Sequence, residues 1–233
     1  MKTTKEIIPV LHMSNKDNLN HNISIIKSLN IKKIFIINHD YQTLDEIKEE
    51  YNYIKSKIKN IWIGINCLTS CETKIFTELS NERFFPDAVW IDNSAIQNSY
   101  GTKNRDKIYE SYLEYKEKGF QGRYFGGFAF KYQKQPLNLE KATIEATDFI
   151  DIITTSGNGT GVKADIEKIK TIYKNVNNKN DIAIASGITP DNIKDYIPFI
   201  NYFLIATGIS ESFYRLSLEK TKQVINTLNQ FKK

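Results

Sequence analysis

Cysteine, proline and long apolar runs are scarce in this 233-residue chain: it has two cysteines and five prolines. No apolar run approaches the roughly 20 residues that a membrane helix needs, so no membrane partner is expected. Cys67 and Cys71 stand four apart. With no second pair to complete a four-ligand zinc site, neither a metal nor another cofactor is expected, and a core or helix-start role suits them better. The opening MKTTKEIIPVLHM carries one short apolar patch and no small-residue cleavage site, a poor match to a signal peptide. Cytoplasmic residence is the expectation. Blocks of one charge are also missing. The net charge is +5, but lysines alternate with acids, as in DEIKEEYNYIKSKIK. Nucleic-acid binding needs a clustered basic stripe, so no nucleic-acid partner is expected. A mild positive excess favours anionic ligands instead. No Gly/Ser linker or low-complexity tract divides residues 1–233, which are read as a single domain.

What is present is one pattern repeated. A short apolar run rich in β-branched and aromatic residues is followed by a turn and then by a segment of helical period. Eight such runs occur, at 7–13, 33–40, 61–68, 87–96, 123–131, 149–157, 181–188 and 201–210. Most are apolar on both faces, as strands of a buried parallel sheet are. Between them, residues 42–58 place Leu44, Ile47, Tyr51, Ile54 and Ile58 on one stripe. Residues 104–118 run as a helix to Gly119, a C-terminal cap. Residues 163–174 put Ile166, Ile169, Ile172 and Tyr173 on one face. Thr189 before Pro190 reads as an N-cap with a first-turn proline. A last helix is expected over about 211–230. Eight strands alternating with helices predict an α/β fold, a (β/α)8 TIM barrel, rather than a doubly wound sheet.

In such a barrel the site lies at the C-terminal ends of the strands. Those ends carry His12, Asn38, His39, Asp40, Asn66, Asp92, Asn93, Lys131, Thr155, Ser156, Ser186 and Thr207. Glycine is the stronger signal. Strand six is followed by Ser156, Gly157, Gly159 and Gly161, strand seven by Ser186 and Gly187, strand eight by Thr207 and Gly208. Backbone amides can approach a phosphate closely where no Cβ intervenes. These residues are therefore read as a phosphate-binding set, against the plainer reading of tight strand-to-helix turns.

The stretches TTSGNGTGVKADIEKIKTI, IAIASGITPDNIKDYI and YFLIATGIS resemble the C-terminal half of the BtpA/SgcQ family of barrels. The opening IIPVLHM also resembles that family's first strand. More distantly, the same segments are similar to phosphoribosylanthranilate isomerase and its relatives, which hold a phosphate in the turns after strands six, seven and eight. The resemblance covers roughly residues 149–210 and implies the barrel and the phosphate site, not a reaction. The isomerase uses a first-strand cysteine as base. Here His12 stands near that position, so its mechanism is not carried over.

Four groups are candidates for chemistry. Asp92 suits a general acid/base or a ligand for sugar hydroxyls, or else it caps its own loop. Asp40 suits the same work, or it is the N-cap of the helix starting near Gln42. The imidazole of His12 titrates near neutral pH and suits proton transfer, or it is structural. Lys131 suits contact with a substrate anion, ahead of a plain surface role and of a Schiff base. Residues 94–103 and 132–138 read as lids, bringing Tyr100, Arg105 and Tyr132 toward ligand. The expected function is an enzyme on a small phosphorylated sugar or nucleotide-like metabolite, an isomerase or lyase. The alternatives are N-glycosidic chemistry on the same ligands and a binding protein without turnover. Barrels of this kind often form homo-oligomers, but no interface is legible in the sequence.

Overall fold

The computed structural model describes residues 5–39, 41–96 and 102–231. Eight parallel strands close into a barrel in chain order. They are β1 (Glu6–His12), β2 (Lys33–Ile37), β3 (Trp62–Asn66), β4 (Ala88–Ile91), β5 (Arg123–Gly127), β6 (Ile152–Ser156), β7 (Asp181–Ala185) and β8 (Tyr202–Ile205). β1 pairs with β8 through Glu6 to Tyr202 and Pro9 to Ile205, which closes the ring. The helices are α1 (Lys16–Ser28), α2 (Leu44–Lys57), α3 (Ile75–Asn81), α4 (Lys103–Glu117), α5 (Leu139–Phe149), α6 (Ile166–Val176), α7 (Ile193–Tyr196) and α8 (Leu218–Gln230).

Two cores result. Inside the barrel, Ile8, Phe35, Trp90, Phe125, Phe130 and Leu204 fill the axis. The Phe35 ring meets Trp90 and Phe125 edge-on, at 5.7 and 5.1 Å between centroids. Edge-to-face contact matches the aromatic quadrupoles. Outside, helix stripes pack on the opposite faces of the strands. Ile169 and Ile172 of α6 are fully buried there. Truncating either to alanine is expected to cost about 2–5 kcal/mol. Local signals agree with the packing. Thr43 closes a capping box with Glu46 at the start of α2. Asp165 caps α6 by accepting from the Glu167 amide.

Several expected boundaries move. The fifth strand ends at Gly127 and not at Lys131, because Ala129 takes a left-handed φ of 47° that an extended chain cannot. The eighth ends at Ile205 and runs into a short 3-10 turn, Thr207–Ile209. The last helix starts at Leu218. Residues 210–216 form a hairpin instead, with strands β9 (Ser210–Ser212) and β10 (Arg215–Leu216). Asn22 of α1 fastens it, donating to the Tyr214 carbonyl and accepting from the Leu216 amide. Thr189 and Pro190 open a turn, not a helix. The Asn192 side chain accepts from the Thr189 amide and donates to the Gly187 carbonyl, and α7 begins only at Ile193.

Candidate functional site

The glycine turns meet at the C-terminal mouth and interlock. A Cβ on Gly208 would lie 1.7 Å from the Ile188 carbonyl oxygen, so the turn after β8 packs bare backbone on the turn after β7. Gly187, with φ of 70°, abuts the Val162 carbonyl in the same way. The Ser186 hydroxyl accepts from the Gly161 amide and donates to the Gly159 carbonyl, tying the loop after β6 down. One cleft results, lined by Thr160, Ser186, Gly187, Ile188, Thr207 and Gly208 on one side and by His12, Trp90 and Lys131 on the other. Its volume is about 60 Å³. Among the described residues, the N–H groups of Gly187, Ile188, Thr207 and Gly208 have no hydrogen-bond partner in the protein, and no carboxylate lines the cleft.

Four of the residues read as phosphate-binding, Ser156, Gly157, Gly159 and Gly161, do not line this cleft. Ser156 is fully buried, accepts from the Lys131 amide and donates to the Gly157 carbonyl. Gly157 lies against the Val162 and Lys163 carbonyls. Gly161 gives its amide to Ser186. They shape the loop.

His12 ends β1. Its Nδ1 lies 2.6 Å from Nε2 of His39, and its ring stacks on Phe213 of the hairpin at 4.1 Å between centroids. Burial, and then the His39 and Lys131 charges, lower its pKa to about 4, so the ring is neutral at pH 7. Lys131 lies four residues beyond the end of β5, with its ammonium 5.6 Å from the Phe130 ring centroid.

Asp92 follows β4 and lies in a separate small cleft with Asn66, Cys67, Ser70 and Glu72. Trp90 lines both clefts and stands between them. Asn66 donates to the Asp92 carboxylate at 2.9 Å. Burial pushes the carboxyl up, against the pull of Asn66 and of the Lys131 ammonium. The glycine turns, His12 and Lys131 are therefore brought together, and Asp92 is their neighbour across one indole.

Other expectations resolve differently. Asp40 and Tyr100 lie outside the described residues, as does 97–101 of the first lid. The N-cap of α2 is Thr43. Arg105 faces away from the mouth: it pairs with Asp106 and Glu145 and stacks on Phe149, because α4 packs it against α5. Tyr132 reaches across from the second lid, its hydroxyl accepting from the Thr160 amide at 3.1 Å. Asn38 is consumed by the scaffold, bonded to the Gln42 carbonyl, Thr69 and the Leu68 amide. Cys67 is buried and Cys71 exposed. Among the described residues, no group of three or more His, Cys, Asp or Glu side chains is placed to hold a metal. No described helix is long and apolar enough to cross a membrane.

Two residues escaped sequence reading. Lys168, on the first turn of α6, donates to the carbonyls of Ala129 and Ser156 and clamps the ends of β5 and β6. Burial lowers its pKa to about 8. On a helix face it looked like any solvated lysine. Trp90 looked like core, and most of it is.

Closed chain-order strands with the cleft at their C-terminal ends define the class: a (β/α)8 barrel of the TIM type. No family model matches the chain, and no curated protein does. Solved structures do. 3-Hexulose-6-phosphate synthase from Salmonella typhimurium has a TM-score of 0.68 at 14% identity, covering 97% of this chain and 99% of that one. KGPDC from Streptococcus mutans has 0.64 at 13%, covering 97% and 98%. Phosphoribosyl anthranilate isomerase from Thermus Thermophilus has 0.63 at 10%, covering 97% and 99%. At these identities the likeness is one of fold.

Proposed function

We propose that the protein is an enzyme acting on a small phosphorylated sugar or nucleotide-like metabolite, by isomerase or lyase chemistry. One observation carries this reading. Gly187, Ile188, Thr207 and Gly208, whose N–H groups make no hydrogen bond among the described residues, line a cleft that holds a lysine and no described carboxylate. Such amides are hydrogen-bond donors fixed in advance, and they favour an oxyanion where water is excluded. The turns after the seventh and eighth strands are also where TIM barrels frequently hold phosphate. The segment resembling the BtpA/SgcQ barrels, 149–210, is the one that builds these turns.

The phosphate rests on the amides of Gly187, Ile188, Thr207 and Gly208, with Thr160 at the rim. Lys131 meets further negative charge. His12, neutral at pH 7, and Asp92, with its raised pKa, stand on either side of Trp90 as the groups that move protons. Burial favours the neutral carboxyl of Asp92, the direction that proton donation needs.

Phosphorylated sugars are expected to raise the melting temperature and their unphosphorylated parents are not. Turnover is followed by phosphorus NMR of a panel of such sugars. Asp92→Asn is expected to abolish it, by about 10²–10⁴-fold, while the thermal shift persists. Full turnover in that variant removes Asp92 from the mechanism. A panel that gives neither shift nor product rejects the proposal.

A further inference from the structure

Two side-chain nitrogens at this site are buried with no partner among the described residues: Nε1 of Trp90 and Nε2 of His12. Buried polar atoms in folded proteins are nearly always paired, so each needs a reason. Five such atoms occur among the described residues. The other three do not line the cleft, whereas Trp90 and His12 both do. Tryptophan Nε1 can only donate. Nδ1 of His12 is engaged with His39 at 2.6 Å. When His39 donates across that pair, His12 carries its own proton on Nε2 and becomes a second donor. Lys131 adds an ammonium beside them. In that tautomer the residues on this side carry donors and positive charge, and no described carboxylate lines the cleft to receive a ligand's hydroxyl.

We infer that the ligand carries, next to its phosphate, a second oxygen group that only accepts, a carboxylate or an enolate oxygen, and that Trp90 and His12 bind it. This rests on the phosphate reading above. A sugar hydroxyl would meet no carboxylate here. A negatively charged sp² oxygen would satisfy both orphaned N–H groups and the ammonium together, and charge-assisted bonds of this kind are the strong ones. Neither nitrogen touches solvent in this structure. The Phe213 ring lies flat on His12 and is itself half exposed at the hairpin tip. The oxygen reaches His12 when that ring moves aside.

Two probes separate the claims. Ethyl phosphate offers the phosphate alone, and 2-phosphoglycolate adds a carboxylate one carbon away. Calorimetry at pH 7 is expected to show 2-phosphoglycolate binding roughly tenfold or more tighter, the size of a hydrogen bond to a charged group. Trp90→Phe keeps the ring and removes the N–H. It is expected to erase most of that difference, read as the ratio of the two dissociation constants within the variant. Nitrogen-15 NMR of the wild type gives a second reading that needs no variant. The indole N–H of Trp90 is expected to shift with 2-phosphoglycolate and not with ethyl phosphate. Trp62, at the start of β3 on the far end of the barrel, is the internal control. Equal affinity for the two probes, or a silent Trp90 indole, overturns this inference and leaves the phosphate site standing. Failure of both probes to bind overturns the two together.

Discussion

Left-handed backbone occurs at both ends of the barrel, but in different residues. At the N-terminal end, where helices return to strands, it falls on Asn30, Asn60, Arg83, Asn177 and Asn178. At the mouth it falls on Ala95, Ala129, Tyr132 and Ser186. Asparagine tolerates this conformation at small cost, whereas alanine and tyrosine pay about 1–2 kcal/mol each. Of the five orphaned polar atoms among the described residues, two, on His12 and Trp90, belong to residues that line the mouth cleft. At the base, four of the five such residues are asparagines, Arg83 being the exception. The mouth carries the costlier residues, Ala95, Ala129 and Tyr132, the pattern expected where geometry serves a ligand.

The largest effect should come from Gly208→Ala. The new Cβ would lie 1.7 Å from a backbone oxygen, so the turn must open. A loss of about 3 kcal/mol or more is expected, together with loss of phosphate binding. Gly159→Ala meets nothing closer than 3.4 Å and should stay within about 0.5 kcal/mol. Chemical denaturation of both variants checks the pair, and equal losses would mean that the turns do not interlock.

Next in size is a pH effect. His12 titrates near 4 when folded and near 6.5 when unfolded. Below 6.5 the unfolded chain binds the proton and the folded protein does not, so stability falls as pH drops from about 6.5 to 4. The loss should approach about 2–3 kcal/mol. The groups acting on the ring are His39 and Lys131, with Phe213 covering it. His12→Asn should flatten that limb of the stability curve, and an unchanged slope would show that His12 titrates normally.

The smallest effect sharpens the strain comparison. Ala129→Gly should stabilise the fold by up to about 1 kcal/mol, because glycine accepts positive φ freely. Asn177→Gly should change little. Equal responses from the two sites would mean that the mouth is not strained relative to the base.

The architecture was legible because eight apolar runs alternate with striped helices, and period and spacing survive small boundary errors. The interlocked turns were legible from their glycines, since close backbone packing leaves few other choices. The hairpin at 210–216 was not. Its strands are three and two residues long, too short for period to register, and it forms because Asn22, 192 residues away from Tyr214, satisfies its backbone. The division of the mouth by Trp90 was hidden for another reason. A strand sequence gives alternation but not how far a large ring reaches, so the indole between Asp92 and the glycine turns was not legible. Ser156 and Gly161 looked like ligands because hydroxyls and glycines at strand ends serve loops and anions alike.

The central claim is that four amides in two neighbouring turns hold an oxyanion. Amide NMR during a titration with inorganic phosphate tests it most directly. The account predicts that the resonances of Gly187, Ile188, Thr207 and Gly208 move together and saturate with one dissociation constant. Amides that stay still, while shifts scatter over the lysine-rich helix surface, would contradict it.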